Sequence, residues 1–153
     1  LQAASYEGRE QVVKLLLEKN ADVDAQGGRY GNALCAASYG GHKIIAKLLF
    51  DKDSDLEAKG TDVQGWNPLQ LAARGGHLRI FQYLASMGIS LSTLDAKKDG
   101  VLCYAASGGA LDVLQAALDL GLTFPPESMH WSPLHWACRS GIPEVVELLI
   151  NEG

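Results

Sequence analysis

The sequence predicts an all-α solenoid of about five helix–turn–helix units, and three observations support this fold class. A short motif rich in Leu and Ala recurs with steps of 33, 35, 33 and 32 residues between its leading leucines, which are Leu1, Leu34, Leu69, Leu102 and Leu134. A glycine lies seven residues after each leucine, at Gly8, Gly41, Gly76, Gly109 and Gly141. A second apolar stretch of constant pattern follows each glycine. A period in this range is typical of stacked units that cannot bury their apolar faces alone.

The first helix of each unit is short and rich in alanine, and its start is marked in three units. Asn32, Asn67 and Ser132 stand where a side-chain oxygen can accept a hydrogen bond from the unpaired N–H groups of a helix start. Pro68 and Pro133 follow two of them, at the first helical position, which proline favours. The recurring glycine then ends the helix, because a left-handed backbone costs glycine least.

The second helix has a wide apolar face that repeats in every unit. Apolar residues fall at offsets 0, +1, +3, +4 and +5, which in the last unit are Val145, Val146, Leu148, Leu149 and Ile150. A helix on the surface of a globular protein needs a narrower apolar stripe. The pattern therefore indicates packing against the first helix and against the units on both sides.

With these features, the chain resembles the ankyrin-repeat family, whose signature is T-P-L-H-x-A. Residues 132–137 (Ser-Pro-Leu-His-Trp-Ala) match it with Ser for Thr, and residues 67–72 (Asn-Pro-Leu-Gln-Leu-Ala) match it with two changes. Residues 21–25 resemble a strand of the family's hairpin, and Gly41-His42 and Gly76-His77 resemble its Gly-His pair. The first two units, residues 1–38, also resemble the ankyrin arrays at the C-terminal end of fungal NLR-like signalling ATPases.

The chain is predicted to be a single ankyrin-repeat domain over residues 1–153. Its five units are expected at residues 1–26 (partial), 27–61, 62–94, 95–126 and 127–153 (partial). Unit four departs most from the family pattern, since residues 100–103 (Gly-Val-Leu-Cys) lack its Thr, Pro and His and Gly109-Ala110 replaces the Gly-His pair. Neither terminal unit has the polar outer face of a capping repeat, so we expect this sequence to be a piece of a longer protein.

Composition and charge argue against several classes of protein. The net charge of −5 gives no overall field that attracts nucleic acid, and no apolar run is long enough to span a membrane. Cys35 and Cys103 occupy equivalent positions two units apart, which at about 8–10 Å per helix is roughly 20 Å and beyond disulfide reach. Reduced buried thiols favour a reducing compartment. We therefore expect an intracellular, cytoplasmic protein that is monomeric in this piece.

No pattern in the sequence is typical of catalysis, metal binding or cofactor binding. His42 and His77 share one repeat position, where a structural role is expected. His130 and His135 lack the further ligands of a zinc site. Ser132, close to His135, is better explained as a helix cap, and no acidic residue completes a triad. The glycine-rich residues 27–31 lack the Gly-Lys-Ser/Thr that completes a phosphate loop. The sequence thus predicts a protein that is not an enzyme and needs no cofactor.

The resemblance implies that a partner meets the hairpin tips and the exposed, concave side of the first helices. Two kinds of position carry over: the tip residue before the helix cap, and the residues after the Ala-Ala pair. Residues at these two kinds of position, together with residues next to them on the hairpin tips, form the predicted partner-binding set. This set is Tyr6, Arg29, Tyr39, Gln64, Trp66, Arg74, Lys97, Met129, Trp131 and Arg139. Tyr, Trp and Arg are enriched at binding hot spots. The local excess of positive charge favours another protein with an acidic or mixed surface.

Alternatives to this interpretation stay open. Trp66 and Trp131 could instead fold back over the hairpin backbone, while Trp136 replaces a leucine of the first helix and is expected in the core. The predicted function is recognition of a protein partner by the concave face and tips. The alternatives are a structural spacer or sensor arm inside a larger signalling protein, and a regulatory array of an enzyme whose catalytic domain lies outside this chain.

Overall fold

The computed structural model describes residues 1–52, 65–92, 100–123 and 131–152, which contain ten α-helices. In chain order these are α1 (Gln2–Tyr6), α2 (Glu10–Glu18), α3 (Ala33–Gly40), α4 (Lys43–Phe50), α5 (Pro68–Arg74), α6 (Leu78–Ser86), α7 (Val101–Ser107), α8 (Leu111–Asp119), α9 (Pro133–Ser140) and α10 (Pro143–Glu152). The odd-numbered helices carry the Leu-Ala motif and the even-numbered helices carry the wide apolar pattern. The predicted solenoid of helix–turn–helix pairs is therefore confirmed.

The helices form two rows, because each one packs against its partner in the pair and against its counterparts in the neighbouring pairs. The inner row is α1, α3, α5, α7 and α9, and the outer row is α2, α4, α6, α8 and α10. The apolar core extends along the stack between the rows, from Val13 near one end to Leu149 near the other. Contacts between nearest neighbours, rather than one central core, stabilise an architecture of this kind.

The predicted helix starts are confirmed by their hydrogen bonds. The Asn32 side chain accepts a hydrogen bond from the backbone N–H three residues later (2.8 Å). Asn67 accepts one from the Gln70 N–H (2.8 Å), and the Gln70 side chain accepts one from the Asn67 N–H in return (2.9 Å). Ser132 and His135 form the same reciprocal arrangement at the start of α9. These caps satisfy N–H groups that a helix start otherwise leaves unpaired.

Each inner helix is followed by its predicted glycine, with φ between 67° and 80° in all five units. A side chain with a Cβ is strained at such a φ, whereas glycine adopts it readily. After Gly41 the chain reverses, and the His42 N–H donates back to the Ala37 carbonyl (2.9 Å). The turn starts the outer helix in a fixed position relative to the inner one.

Two histidines connect consecutive units by the same contact. His42 Nε2 donates a hydrogen bond to the Tyr6 carbonyl oxygen (2.9 Å), and His77 Nε2 donates one to the Tyr39 carbonyl oxygen (2.8 Å). The His77 ring also lies on the turn of the preceding unit, so close that a Cβ added at Gly41 would be 2.6 Å from Nδ1. Both histidines therefore have the structural role that their place in the repeat predicts.

The junctions after unit three have a different contact at this position. Ala110 and Ile142 replace the histidine and lie against Gly76 and Gly109 of the preceding units. An alanine or isoleucine side chain has no N–H to donate, so an apolar contact stands where the earlier junctions have a hydrogen bond.

The prediction of a hairpin strand at residues 21–25 is wrong. The Asp22 carboxylate accepts a hydrogen bond from the Asp24 N–H (3.0 Å), which bends the backbone out of an extended conformation. The hairpin pairs instead as an isolated antiparallel bridge between Gly27 and Gly31, with an N–H···O distance of 2.7 Å. The Gln2 amide of α1 donates to the Gly31 carbonyl (2.9 Å) and fixes the hairpin to the inner row.

Replacing His77 by alanine should destabilise the stack, because it removes the hydrogen bond to the Tyr39 carbonyl and the packing on Gly41. We expect the free energy of unfolding, measured by urea denaturation with circular dichroism, to fall by about 1–3 kcal/mol. Arg79→Ala, at an exposed position on α6, which begins directly after His77, is the matched control and should change the free energy of unfolding by less than about 0.5 kcal/mol. Equal stability of the two variants would show that the histidine does not strengthen the junction.

Candidate functional site

Aromatic rings and arginine side chains form three clusters along the stack, and these include every described member of the predicted binding set. We call them together the aromatic–arginine surface, which consists of Tyr6, Arg29, Tyr30, Tyr39, Trp66, Arg74, Tyr104, Trp131, Trp136 and Arg139. The clusters lie on units one and two, on units three and four, and on unit five. Gln64, Lys97 and Met129, which were also predicted, lie outside the described residues.

The first cluster is a stack of three tyrosines. Tyr30 of the hairpin lies between Tyr6 of α1 and Tyr39 of α3, with ring centroids 5.1 Å and 4.9 Å away. The rings are inclined to Tyr30 by 21° and 25°, which is a stacked arrangement. Arg29 adds a cation, with its Cζ 5.7 Å from the Tyr30 centroid. The stack holds the hairpin against the ends of two inner helices.

Tyr30 is a member of this cluster that the sequence did not predict. Burial, followed by a hydrogen bond and charge interaction with Tyr6, raises the pKa of Tyr30 from 10.0 to about 12. The position before the helix cap, where other units have tryptophan or aspartate, is Gly31 in unit two and has no side chain to offer. The sequence signal that could have identified Tyr30 is an aromatic residue directly before the glycine at the hairpin tip.

The second cluster centres on Trp66, which comes directly before the cap of α5. Its indole N–H donates to the Tyr104 hydroxyl of α7 (2.5 Å), and the two rings meet edge to face with centroids 5.6 Å apart. Arg74, at the end of α5, places its Cζ 4.9 Å from the indole centroid. The half-buried Trp66 therefore links unit three to unit four and also holds an exposed guanidinium at the surface.

The third cluster lies on unit five. Trp131 is 47% exposed, and its ring centroid is 5.2 Å from that of Trp136. The Arg139 Cζ lies 5.7 Å from the Trp131 centroid and 5.6 Å from the Trp136 centroid. A guanidinium near aromatic faces is attracted by the ring quadrupole, by about 0.5–2 kcal/mol depending on exposure. Its N–H donors lie in the guanidinium plane, so contact with a ring face leaves N–H edges available to a ligand.

The second and third clusters share one place in the repeat. Trp66 and Trp131 each stand three residues before the leading leucine of their unit, and Arg74 and Arg139 stand five residues after it. In both units the tip and the end of the inner helix meet in space. These contacts support the expectation that the tip residues before the helix caps and the residues after the Ala-Ala pairs lie on one face of the stack.

The expectation that Trp136 belongs to the core needs correction. Its indole packs against the core and against Trp131 but is only partly buried, since it also lies beside the Arg139 guanidinium at the surface. Tyr104 stands at the same repeat position in unit four and is buried, yet it takes part in the second cluster through its hydroxyl. The sequence signal for Tyr104 and Trp136 is a large aromatic side chain at the repeat position that holds Ala3 and Ala36 in the first two units.

Ser132 and His135 are close in space, with Oγ and Nδ1 2.7 Å apart. His135 Nδ1 also accepts a hydrogen bond from the Ser132 backbone N–H (3.3 Å), which is the geometry of a helix cap.

In the described ranges no group of three or more His, Cys, Asp or Glu residues could hold a metal ion. None of the helices in the same ranges has the length and apolar character needed to cross a bilayer.

Comparison with known proteins gives two findings. The family model for ankyrin repeats (three copies) matches residues 1–95 and residues 89–153. A transient receptor potential cation channel subfamily A member 1 homolog of Caenorhabditis elegans is 30% identical over 88 residues, which are 56% of this chain and 7% of that protein. The chain thus spans a small part of this much longer relative. The likeness to arrays of fungal NLR-like ATPases stays a prediction.

Tyr30→Phe should remove the group that ionises near pH 12 from the ultraviolet titration of tyrosinate. Because the folded-state pKa lies above the ordinary value, the unfolded chain releases this proton first. The contribution of Tyr30 to stability is therefore complete below pH 10 and is lost as the pH rises from 10.0 to about 12.

Tyr83→Phe is the control for this titration, since burial also raises the pKa of Tyr83, on α6 and outside the tyrosine stack. This variant should keep the group near pH 12. If Tyr30→Phe instead lost a group that ionises at the ordinary value, the partly buried, hydrogen-bonded state of Tyr30 would be disproved.

Proposed function

The chain belongs to the ankyrin-repeat family, whose members are generally protein–protein interaction modules, and from this we propose that it binds another protein through the aromatic–arginine surface. The proposed role is not enzymatic. The surface lies along the hairpin tips and the ends of the inner helices, so a partner would contact several units at once. Interfaces formed by pre-organised surfaces generally show little backbone movement on binding.

The observation that carries this proposal is the fixed position of the arginines. Arg74 rests on Trp66, which is itself held by Tyr104, and Arg139 rests on Trp131 and Trp136. A side chain that is already ordered loses less conformational entropy when a partner binds. The same residue types, Trp, Tyr and Arg, contribute most of the affinity at protein interfaces.

Charge favours a partner with an acidic or mixed surface. The whole chain has a net charge of −5, yet the charged members of the aromatic–arginine surface are Arg29, Arg74 and Arg139. Complementary charge speeds association and disfavours wrong partners more than it raises affinity. A nucleic acid is a less suitable ligand, because the acidic remainder of the chain would repel its phosphates.

The cysteines suggest where binding takes place. All three, Cys35, Cys103 and Cys138, lie in the described ranges and are reduced thiols. Reduced thiols are typical of proteins kept in the reducing interior of the cell. We place the module there, in the cytoplasm, as a monomer in this piece.

A second candidate function is favoured by the apolar side chains at the two ends of the stack. Val12 and Leu15 at one end are 47% and 54% exposed, and Ile150 at the other is 62% exposed. In this alternative the stack is a spacer or sensor arm, or a regulatory array of an enzyme, and these side chains pack on further parts of a larger protein. The channel protein that this chain matches is long enough for such an arrangement, since the match covers only 7% of its length.

A variant carrying Arg74→Ala, Trp131→Ala and Arg139→Ala should lose the partner while keeping its helices, because all three side chains are exposed. Trp66 is left intact, since it also links two units. The measurement is affinity capture from a cytosolic extract of the source organism with quantitative mass spectrometry, followed by titration of the captured protein. Together the changes should lower its affinity at least about a hundredfold.

The matched control removes two positive charges from the outer row, by Lys47→Ala and Arg79→Ala. It should capture the same protein as the wild type, and circular dichroism should show all three chains equally helical. Equal capture by the wild type and the triple variant would contradict the proposed surface and favour the spacer.

A further inference from the structure

We propose that the partner presents an extended acidic segment, in which two carboxylates about five or six residues apart bind Arg74 and Arg139. This inference rests on the proposed function and specifies the chemistry of the partner. It begins from the two matched clusters, in which Trp66 holds Arg74 and Trp131 holds Arg139 at the same places in their units. Identical placement in a repeat gives two like sites facing the same way.

The spacing of the two sites follows from the stack. Arg74 ends α5 and Arg139 lies near the end of α9, with only α7 between these helices in the inner row. Packed helices lie about 8–10 Å apart, so the two guanidiniums are separated by roughly 16–20 Å. An extended chain advances about 3.3 Å per residue and covers this distance in about five or six residues.

Carboxylate is the group that best fits each site. The guanidinium has planar N–H pairs that match the two oxygens of a carboxylate, and charge-assisted hydrogen bonds of this kind are the strong ones. Each arginine is held by an indole rather than by an ion pair with a carboxylate of the described residues. Binding an acidic side chain therefore does not require breaking such a pair first.

The surface between Arg74 and Arg139, at the end of α7, favours binding of an extended segment over binding of a helix. There the half-buried Ser107 ends α7 and the exposed Gly108 follows it, and Tyr104 is buried with its hydroxyl bound to Trp66. A helix docks by setting an apolar face into an apolar groove, and these small residues provide none. An extended chain needs only the two anchor points and little width between them.

The test is selection of random displayed peptides on the immobilised chain. We expect the enriched sequences to carry two Asp or Glu residues at a spacing of about five or six. A synthetic peptide taken from them should lose about ten- to a hundredfold in affinity, by fluorescence anisotropy, for Arg74→Gln and again for Arg139→Gln. The control Arg79→Gln, on the outer row, should leave the affinity unchanged.

Double-mutant cycles make the assignment specific. Changing one acid of the peptide to its amide should couple with Arg74→Gln and not with Arg139→Gln, and the other acid should show the reverse. Enriched peptides without acids, or with acids at no fixed spacing, would overturn the proposal. A spacing of about eleven or more, as on one face of a helix at 1.5 Å per residue, would overturn the extended segment.

Other outcomes separate this inference from the proposed function. Suppose that no peptide is enriched, while capture of a folded protein still depends on Arg74, Trp131 and Arg139. The extended acidic segment is then disproved and protein binding by the surface stands. Binding of a single-stranded oligonucleotide with the same arginine dependence, in place of any acidic peptide, would assign the sites to phosphate and overturn both.

Discussion

Burial of each unit by its neighbours is the constraint on which this structure depends. The first apolar residue of the outer helix shows it, because the same position occurs with and without a preceding unit. Ile45, Ile80 and Val113, each with a preceding unit, are at most 1% exposed, whereas Val12 of unit one is 47% exposed. The chemistry of the side chain is the same, so the difference is made by the adjacent unit. Two clusters of the aromatic–arginine surface depend on the same packing, since stacking brings Tyr30 against Tyr6 of unit one and Trp66 against Tyr104 of unit four.

The features that sequence could predict are those governed by short-range rules. Asn67 caps its helix through an atom three residues away, and Gly41 turns the chain within its own unit, so both can be recognised from a few neighbouring letters. The repeat then predicts the fold, because every unit must pack in the same way. The exception is residues 21–25, where an aspartate side chain competes for the backbone and a strand does not form.

Tyr30 and Tyr104 were not predicted as parts of the candidate site, because their positions depend on contacts between units. Tyr30 is fixed by Tyr6 and Tyr39, which lie 24 residues before it and 9 residues after it in the sequence. Tyr104 reaches Trp66 across 38 residues. The pattern of one unit cannot tell whether a ring will be buried, stacked or exposed, because that is decided by the side chain opposite. Arg74 and Arg139 can be predicted because their place in the repeat is constant, whereas the contact of each guanidinium with an indole is seen only in the structure.

The change from histidine to apolar side chains along the stack has a consequence for its response to temperature. The junctions at His42 and His77 combine packing with a hydrogen bond, whereas those at Ala110 and Ile142 have an apolar contact in its place. Hydrophobic stabilisation weakens on cooling, so at this repeat position the later junctions lose more of their strength in the cold than the earlier ones. Arg139 lies beyond both apolar junctions and Arg74 before them. Cold would therefore weaken the contacts at this repeat position between the two arginines more than those beside the tyrosine stack, while the Trp66–Tyr104 hydrogen bond still links units three and four.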